Sequence, residues 1–325
     1  MSSKPAAPRV VAIVQARMGS TRFPGKVLKP VAGKPLLWHV LYRLTRCKTL
    51  DWVVVATSDN PRDDAIETYC RDEKIDVVRG PEDNVLERFK LAAEKTEADI
   101  IVRVSADAPF IDPQFVDHMV NTLIAAEGDY VLVEPGKQCA HEGVDPFSRR
   151  ALDRLVAEVS HDPVAREHVS GYFKTHPDFV RIVHAAPDPR LARRGARLTI
   201  DTPDDLAFIE AIHQRLEAKA GEASLADLLL LLEREPKLGR INAHVRQKTL
   251  DNRGGVAIIR CDGGFTFGYG HVKRSLTLAR ALRDQQGFGV VFAVNGDADA
   301  AKLVHDCGFE TFLLPALGKG NALAS

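Results

Sequence analysis

The sequence predicts an α/β protein, with a doubly wound, mainly parallel sheet followed by a partial second α/β module. Two observations support this fold class. Short β-branched runs alternate with helical patterns from Arg9 onward, and a second alternation of the same kind begins at Val256 after a polar stretch. Such alternation is typical of βαβ units, in which helices cover both faces of a parallel sheet.

In the first part of the chain, each short apolar run bounded by polar or glycine-containing residues predicts a strand. The strands predicted in this way are VVAIV, WVVVAT, DIIVRV, DYVLV and ARLTI. Longer stretches with one apolar face predict helices, which include PLLWHVLYRLTRC, PRDDAIETYCRDEK, NVLERFKLAAEKT, QFVDHMVNTLIAA, residues 149–159, residues 163–173 and SLADLLLLLER. Residues 134–148 are rich in Pro, Gly, His and Cys, and predict a loop-and-strand excursion over one edge of the sheet.

A polar segment divides the chain. Residues 1–236 form the first predicted domain, and residues 237–254 lack a clear period and predict a linker. Residues 255–325 form the second module, with the strands VAIIR, GVVFAV and ETFLL and the helices HVKRSLTLARALRD and DADAAKLVHDC. A sheet of two or three strands in about 70 residues leaves much of its apolar surface uncovered.

Composition excludes several classes of protein. The chain has 325 residues, enough for two independently folded domains, and its 44 basic and 44 acidic residues cancel. No net field therefore draws it to nucleic acid or to an anionic bilayer, and its apolar runs are too short for a membrane span or a signal-peptide core. Five cysteines without a CxxC pair indicate reduced thiols in a cytoplasmic protein.

A cation-rich loop follows the first predicted strand. The stretch QARMGSTRFPGK carries Arg17, Arg22 and Lys26 together with two glycines. Backbone N–H groups and guanidinium groups at the carboxyl end of a first strand can converge on phosphate oxygens. The loop is not a Walker A loop, because five residues separate the glycines and Val27 follows the lysine. We predict a phosphate site here, and the alternative is a solvated basic loop.

Two aspartates follow predicted strands of the same sheet. Asp107 lies in SADAPFID after DIIVRV, and Asp201 lies in DTPDDL after ARLTI. Two carboxylates at one sheet edge can share a Mg²⁺ ion with substrate phosphates and waters. Each aspartate also has a structural explanation, because Asp201 can cap a helix and Asp107 can form an Asx-turn.

The string VQARMGSTRFPGKVLKPVAGKPLLWHVL resembles the N-terminal signature of the sugar-acid cytidylyltransferases, which include the CMP-KDO and CMP-sialate synthetases, and is most similar to their spore-coat polysaccharide branch. The resemblance implies a nucleotidyltransferase fold of the glycosyltransferase-A-like type for residues 1–236. It implies that Mg²⁺ binds Asp107 and Asp201, and that Arg17, Lys26 and Asp107 are catalytic. The residues that it implies around CTP are Gln15 and Ala16 at the cytosine, Arg17, Gly19, Ser20, Arg22 and Lys26 at the phosphates, and Thr57, Ser58 and Asp59 in a second nucleotide loop.

A further segment carries the resemblance. DPVAREHVSGYF is similar to a segment of the spore-coat branch that follows its sugar-binding loop, which implies that Arg166 and His168 meet a sugar carboxylate or a neighbouring subunit. The alternative for this segment is a salt-bridged helix start. In EGVDPFS, the resemblance implies that Asp145 binds the sugar acid. Phe147 stands two places after Asp145, where the family pattern has an acidic residue, so the sugar specificity is left open. The resemblance also implies a homodimer contact around residues 140–175.

The implied reaction is Mg²⁺-dependent transfer of CMP from CTP to the anomeric hydroxyl of a 2-keto-3-deoxy, nonulosonic-type sugar acid, with release of pyrophosphate, in surface polysaccharide or glycan biosynthesis. Two alternatives stay open on the residues alone. One is a nucleotide-sugar-dependent glycosyltransferase of the related fold, and the other is a non-catalytic, nucleotide-binding subunit of a pathway.

The second module carries its own glycine-rich turn. The stretch CDGGFTFGYGHVKRSLTLARAL resembles the opening of the UDP-sugar hydrolase of pseudaminic acid synthesis, a glycosyltransferase-B-like enzyme, and the resemblance implies a catalytic role for His271. The alternative is a helix cap or a packed side chain. The sequence has no counterpart of the hydrolase's nucleotide-binding second half, so we expect this module to be inactive as it stands.

Overall fold

The computed structural model describes residues 7–20, 22–137, 139–141, 143–192, 197–245, 256–265, 267–286 and 289–314. The chain forms two compact units, Met1–Glu235 and Pro236–Ser325. No helix in these described ranges is long and apolar enough to cross a bilayer.

The first unit is built on a seven-stranded sheet and a small hairpin. Its strands are β1 (Val10–Gln15), β2 (Pro30–Val31), β3 (Lys34–Pro35), β4 (Trp52–Ser58), β5 (Asp76–Gly80), β6 (Ile100–Ser105), β7 (Tyr130–Val133), β8 (Val144–Ser148) and β9 (Ile182–Ala185). Its helices are α1 (Leu36–Leu44), α2 (Asp64–Asp72), α3 (Val85–Lys95), α4 (Pro113–Ala125), α5 (Arg149–Val159), α6 (Pro163–His168), α7 (Gly171–Thr175), α8 (Pro203–Arg215) and α9 (Leu225–Arg234).

The large sheet has the strand order β5-β4-β1-β6-β8-β7-β9. All neighbouring pairs are parallel except the two that involve β8, which runs antiparallel to β6 and β7. The predicted α/β class with a mainly parallel sheet is therefore confirmed. The central strand β1 is apolar from Val10 to Val14 and is buried on both faces, as an unbroken apolar run in a parallel sheet requires.

Several local features differ from the prediction. The excursion in residues 134–148 does not run over an edge, because its strand β8 is inserted between β6 and β7. The strands β5 and β9 and the hairpin of β2 and β3 were not predicted. The stretch ARLTI is not a strand: residues 197–200 are irregular, and Ala196 lies outside the described residues. The helix predicted over residues 163–173 is divided into α6 and α7, because Val169 has a φ of +50° and breaks the helical path.

The irregular path of residues 197–200 has a physical cause. The backbone N–H of Ile200 donates to the carbonyl of Asp107 at 2.9 Å, and Leu198 and Ile200 are buried. The guanidinium of Arg197 is engaged by two carboxylates of the following turn and helix. These contacts fix the segment as a loop beside the end of β6, although the buried hydroxyl group of Thr199 has no partner within the described residues.

The second unit contains β10 (Val256–Gly263), α10 (Gly270–Gln286), β11 (Gly289–Gly296), α11 (Ala298–Asp306) and β12 (Glu310–Leu313), with three parallel strands in sequential order. Cys261, Phe292 and Val294 belong to its core, whereas Val256 and Ile258 on β10 are exposed. The described part of the predicted linker, residues 237–245, lies in this unit. Its Leu238 is buried and the His244 ring lies 6.3 Å from that of His305, centroid to centroid.

Two histidines are buried side by side in the first unit. His39 on α1 and His213 on α8 have ring centroids 5.7 Å apart. His39 Nε2 donates to the carbonyl of Val31 at 2.8 Å, but His39 Nδ1 and His213 Nε2 have no partner in the described part of the chain. Burial lowers the pKa of His39 to about 4 and also lowers the pKa of His213. Both rings are therefore uncharged at neutral pH.

We predict that acidification destabilises the first unit through His39. An unfolded histidine gains its proton near pH 6.5, whereas folded His39 stays neutral until about pH 4, so stability is lost as the pH falls through this window. The loss for His39 is about 1 kcal/mol between pH 7 and pH 5.5. Both tryptophans, Trp38 and Trp52, lie in this unit, so urea unfolding followed by tryptophan fluorescence reports on it.

The matched comparison is His39→Gln against His184→Gln, because His184 is exposed on β9. The His39 variant loses part of the pH dependence of the unfolding free energy, and the His184 variant keeps it. An identical pH dependence of the unfolding free energy in the wild type and in His39→Gln would contradict this prediction. It would mean that His39 has the same pKa in the folded and the unfolded state.

Candidate active site

The loop after β1 folds back on itself before it presents its lysine. The backbone N–H groups of Ser20 and Gly25 donate to the carbonyl of Met18 at 3.0 and 2.9 Å. Gly25 has a φ of +69°, a conformation that favours glycine, and it precedes the short 3₁₀ helix Lys26–Leu28. This turn carries Lys26 into the unit, where its side chain is only 10% exposed.

Lys26 joins the two predicted metal-binding aspartates. Its Nζ donates to Asp107 Oδ2 at 2.7 Å and to Asp201 Oδ1 at 2.6 Å. Arg22 Nη2 lies 3.0 Å from Asp201 Oδ2. The structure thus brings together four residues that the sequence assigned to phosphate and metal binding, although they come from three distant parts of the chain.

The turn before α8 fixes Asp201 from its other side. The backbone N–H of Asp201 donates to Asp205 Oδ2 at 2.9 Å, and the guanidinium of Arg197 contacts both carboxylates. Thr202 and Asp205 form a capping box at the start of α8. Because the cap is Thr202, the alternative role of Asp201 as the helix cap is wrong. Sequence reasoning missed Arg197 and Asp205, although the TxxD spacing of a capping box signals Asp205.

The carboxyl group of Asp201 is held in its ionised form. Burial raises its pKa, but the charge of Lys26, followed by those of Arg197 and Arg22, outweighs this effect and holds the pKa below its usual value. Since carboxylate oxygens of Asp107 and Asp201 both lie within hydrogen-bond distance of the Lys26 ammonium group, they converge on one position, which a positive charge occupies in this structure.

The carboxylates of Asp107 and Asp201 suit Mg²⁺ better than a metal ion whose ligands all come from protein side chains. The described residues contain no group of three or more His, Cys, Asp or Glu side chains that could hold a metal ion. Two carboxylates suffice for Mg²⁺, which completes its coordination with substrate phosphates and water.

Asp63, which the sequence analysis did not single out, connects the first loop to β4. Thr57 and Ser58 donate their hydroxyl groups to Asp63 Oδ2, the former at 3.1 Å, and the backbone N–H of Met18 donates to Asp63 Oδ1 at 2.7 Å. Thr57 and Ser58 are fully buried, whereas Asp59 is exposed. An aspartate in the first turn of a helix is common, so no sequence signal identified this one.

The other residues that the sequence predicts to bind the nucleotide lie at the end of β1 or just after it. Gln15 is the last residue of the strand, and its Oε1 is buried without a partner in the described ranges. Ala16 is buried, and its N–H donates to the carbonyl of Ala56 at 3.1 Å. A Cβ atom on Gly19 would lie 3.4 Å from Glu82 Oε1, and Arg17 is exposed. Ser20 Oγ accepts from the N–H of Phe23 at 3.3 Å.

Asp145 lies in a buried polar network on β8. Its oxygens are contacted by Arg103 Nη1 at 3.0 Å, the Tyr130 hydroxyl at 2.8 Å, the Ser170 hydroxyl at 3.0 Å and Lys174 Nζ at 2.7 Å. Burial raises the pKa of Asp145, but Lys174 and Arg103 outweigh it and hold the pKa far below its usual value. The network joins β6, β7 and β8 to the start of α7.

The other predicted residues lie on separate elements. Arg166 on α6 makes an ion pair with Asp83 at 3.0 Å, as the alternative of a salt-bridged helix start requires, and His168 is the last residue of α6. In the second unit, His271 Nδ1 accepts from the N–H of Asp262 at 3.2 Å. Its predicted catalytic role stays a prediction.

Comparisons with known proteins identify the family. Residues 11–225 match the cytidylyltransferase family. The spore coat polysaccharide biosynthesis protein SpsF of Bacillus subtilis (strain 168) is 36% identical over 236 residues, which cover 70% of this chain and 95% of that protein. A 3-deoxy-manno-octulosonate cytidylyltransferase of Anaeromyxobacter dehalogenans (strain 2CP-1 / ATCC BAA-258) is 31% identical over 238 residues, which cover 62% of this chain and 97% of that enzyme.

A solved structure agrees with these sequence matches. The cytidylyltransferase from Leptospira borgpetersenii serovar Hardjo-bovis (strain JB197) superposes with a TM-score of 0.65 at 28% identity, covering 71% of this chain and 97% of that one. The family match includes the loop after β1, Asp107 and Asp201. The chain therefore belongs to the cytidylyltransferase family and is a nucleotidyltransferase enzyme.

Proposed function

We propose that this enzyme transfers CMP from CTP to a 2-keto-3-deoxy, nonulosonic-type sugar acid, with Mg²⁺ as cofactor, in the biosynthesis of a surface polysaccharide or glycan. The observation that carries the proposal is the convergence of Lys26, Asp107 and Asp201 at the ends of β1 and β6. The names of two relatives, a spore coat polysaccharide biosynthesis protein and a 3-deoxy-manno-octulosonate cytidylyltransferase, support the proposed pathway and the proposed class of acceptor.

Contacts at the end of β1 support the nucleotide assignment. The buried, unpartnered Oε1 of Gln15 is an acceptor, and the exocyclic amino group of cytosine is a donor that can satisfy it. Arg17 and Arg22, in the loop that follows, supply guanidinium groups that suit phosphate oxygens. Asp63 fixes the position of this loop through Met18, so the loop is held before any ligand arrives.

Asp107 and Asp201 would hold Mg²⁺, which when bound supplies positive charge at the α-phosphate and at the departing pyrophosphate. The chain's own residues provide the rest of the electrostatics. From the loop after β1, Arg22 pairs with Asp201, and Lys26 pairs with both Asp107 and Asp201, so cations and anions alternate in this cluster. Such a preorganised arrangement stabilises charge that develops during phosphoryl transfer.

The proposed reaction needs no covalent enzyme intermediate. The anomeric hydroxyl oxygen of the sugar acid forms a bond to the α-phosphorus, the bond to the bridging oxygen of pyrophosphate breaks, and the hydroxyl proton passes to solvent. Catalysis then comes from positioning and charge stabilisation by Arg17, Arg22 and Lys26. Cys47, Cys70, Cys261 and Cys307 form no disulfide within the described residues, which fits the proposed cytoplasmic location. The homodimer contact around residues 140–175 stays a prediction.

The proposal is tested by pyrophosphate release from each of the four ribonucleoside triphosphates with Mg²⁺ and a panel of KDO, sialic, legionaminic and pseudaminic acids. We expect release with CTP and with at least one acid of the panel. Preference for another nucleotide, or no release with any acid, would contradict the proposed function.

We predict that Asp107→Asn lowers the turnover number by at least about a thousandfold, because it removes one of the two carboxylates that neutralise charge in the transition state. The fold is retained, since the side chain of Asp107 is partly exposed and its ion-pair partner within the described residues is Lys26. Turnover is measured as pyrophosphate release, and folding by circular dichroism and thermal unfolding. Asp72→Asn, at the exposed end of α2, is the matched control. Turnover near the wild-type level in Asp107→Asn would contradict the metal assignment.

We predict that Lys26→Gln weakens CTP binding about 10- to 100-fold, because a charge-assisted hydrogen bond to a phosphate contributes about 1.5–3 kcal/mol. Calorimetric titration with CTP and Mg²⁺ measures the dissociation constant. Lys29→Gln is the control, since Lys29 is exposed three residues further along the same segment. Equal dissociation constants for the two variants would show that Lys26 only pairs with the aspartates and does not contact the nucleotide.

A further inference from the structure

His141 lies at the same edge of the sheet as Asp107. The chain crosses the end of β6 at Gly143, whose carbonyl accepts from the N–H of Ser105 at 2.9 Å. A Cβ atom on Gly143, which has a φ of +77°, would lie 2.9 Å from the Cβ of Ala108. His141 is two residues before this crossing, and Asp107 is two residues beyond Ser105. The loop that carries His141 therefore flanks the aspartate of the proposed metal site.

The His141 side chain contains a polar atom without a partner. Its ring packs on Phe115 of α4, with centroids 5.2 Å apart, and its Nε2 is buried and finds no hydrogen-bond partner within the described ranges. Leaving a buried polar atom unpaired is costly, so proteins satisfy nearly all such atoms with protein, water or ligand. The unpartnered nitrogens of His39 and His213 lie on helices, whereas that of His141 lies on a loop beside Asp107, where a bound substrate can supply the missing partner.

The imidazole is uncharged at neutral pH. Burial lowers the pKa of His141 to about 4, and the nearby charge of Asp145, which acts in the opposite direction, does not compensate for it. A neutral imidazole offers one donor and one acceptor, which suits a hydroxyl group, whereas a carboxylate requires a cation for strong binding.

The strand order places His141 and the loops assigned to the nucleotide on opposite sides of β6. The loops assigned to CTP follow β1 and β4, whereas His141 precedes β8, on the other side of β6. A ligand group that reaches His141 therefore belongs to the second substrate. This step rests on the proposed function.

We propose that His141 is a specificity-determining residue that forms a hydrogen bond with a hydroxyl group of the acceptor sugar acid through its Nε2. Asp145 and its network position the adjoining strand β8, and Phe115 orients the ring. Within the described residues, His141 makes no hydrogen bond or ion pair with Lys26, Asp107 or Asp201, so its effect falls on recognition of the acceptor.

The test compares His141→Phe and His141→Gln with the wild type, using an acceptor from the panel that supports turnover. The phenylalanine keeps the packing on Phe115 but has no polar atom, and the glutamine restores an amide near the position of Nε2. We expect His141→Phe to raise the acceptor KM about 10- to 100-fold, with a much smaller change in kcat and an unchanged dissociation constant for CTP. His141→Gln has an acceptor KM between those of His141→Phe and the wild type. His184→Gln, at an exposed position on β9, leaves the acceptor KM and kcat unchanged.

A deoxy analogue of the acceptor that lacks the contacted hydroxyl identifies the interaction directly, because on this analogue His141→Phe and the wild type have equal KM values. An acceptor KM unaltered in His141→Phe overturns the inference, and so does a parallel loss of CTP affinity, which would indicate a structural role. If the wild type accepts no acid of the panel, the proposed function fails and this inference fails with it. Turnover by the wild type with an unaltered KM in the variants overturns this inference alone.

Discussion

The ion pairs of Lys26 with Asp107 and Asp201 are the interaction on which the rest of the active site depends. The lysine comes from the loop after β1, one aspartate from the loop after β6, and the other from the turn before α8. Two carboxylates this close repel each other unless a cation lies between them, so the ammonium group allows both to stay ionised. A buried lysine occupies this position. The oxygens of both carboxylates therefore point towards the loop after β1. The ion pairs of Lys26 with the two aspartates thus connect the loop after β1 to the end of β6 and to the turn before α8.

Other carboxylates build the frame around this cluster. Asp63 ties the first loop to β4, Asp205 fixes the turn that carries Asp201, and Asp145 joins β8 to α7. Each of the three is buried and accepts several hydrogen bonds, which is the condition under which a buried charge is tolerated. Asp107 and Asp201 differ from them because both stay partly exposed and are paired with side chains of the phosphate loop. The three buried carboxylates stabilise the scaffold, and Asp107 and Asp201 are the two that we propose to face the substrate. The sugar-binding role of Asp145 stays a prediction.

The sequence predicted those parts of the site that are built from contiguous residues. The strand VVAIV, the cation-rich loop and the two Asp-containing turns are contiguous in sequence, and the alternation of strands and helices places their ends at one sheet edge. Features that depend on tertiary partners were not predictable. The stretch ARLTI has the composition of a strand, but Arg197 and Ile200 bond to Asp205 and Asp107, and the segment stays irregular. The insertion of β8 and the contact of Asp63 with Met18 likewise depend on residues that are distant in the sequence. The break at Val169, where φ is +50°, had no signal in the sequence. The resemblance of the second unit to a UDP-sugar hydrolase stays a prediction.

The most direct test of the central claim is the binding of Mn²⁺, as a paramagnetic substitute for Mg²⁺, measured by electron paramagnetic resonance in the presence of CTP. If Asp107 and Asp201 form a cation site, the wild type binds a single Mn²⁺ in the CTP complex. The affinity for Mn²⁺ then falls at least about tenfold in Asp107→Asn and in Asp201→Asn, but not in Asp72→Asn. Equal Mn²⁺ affinity in all four proteins would contradict the account, because it would mean that the two carboxylates serve only to neutralise Lys26.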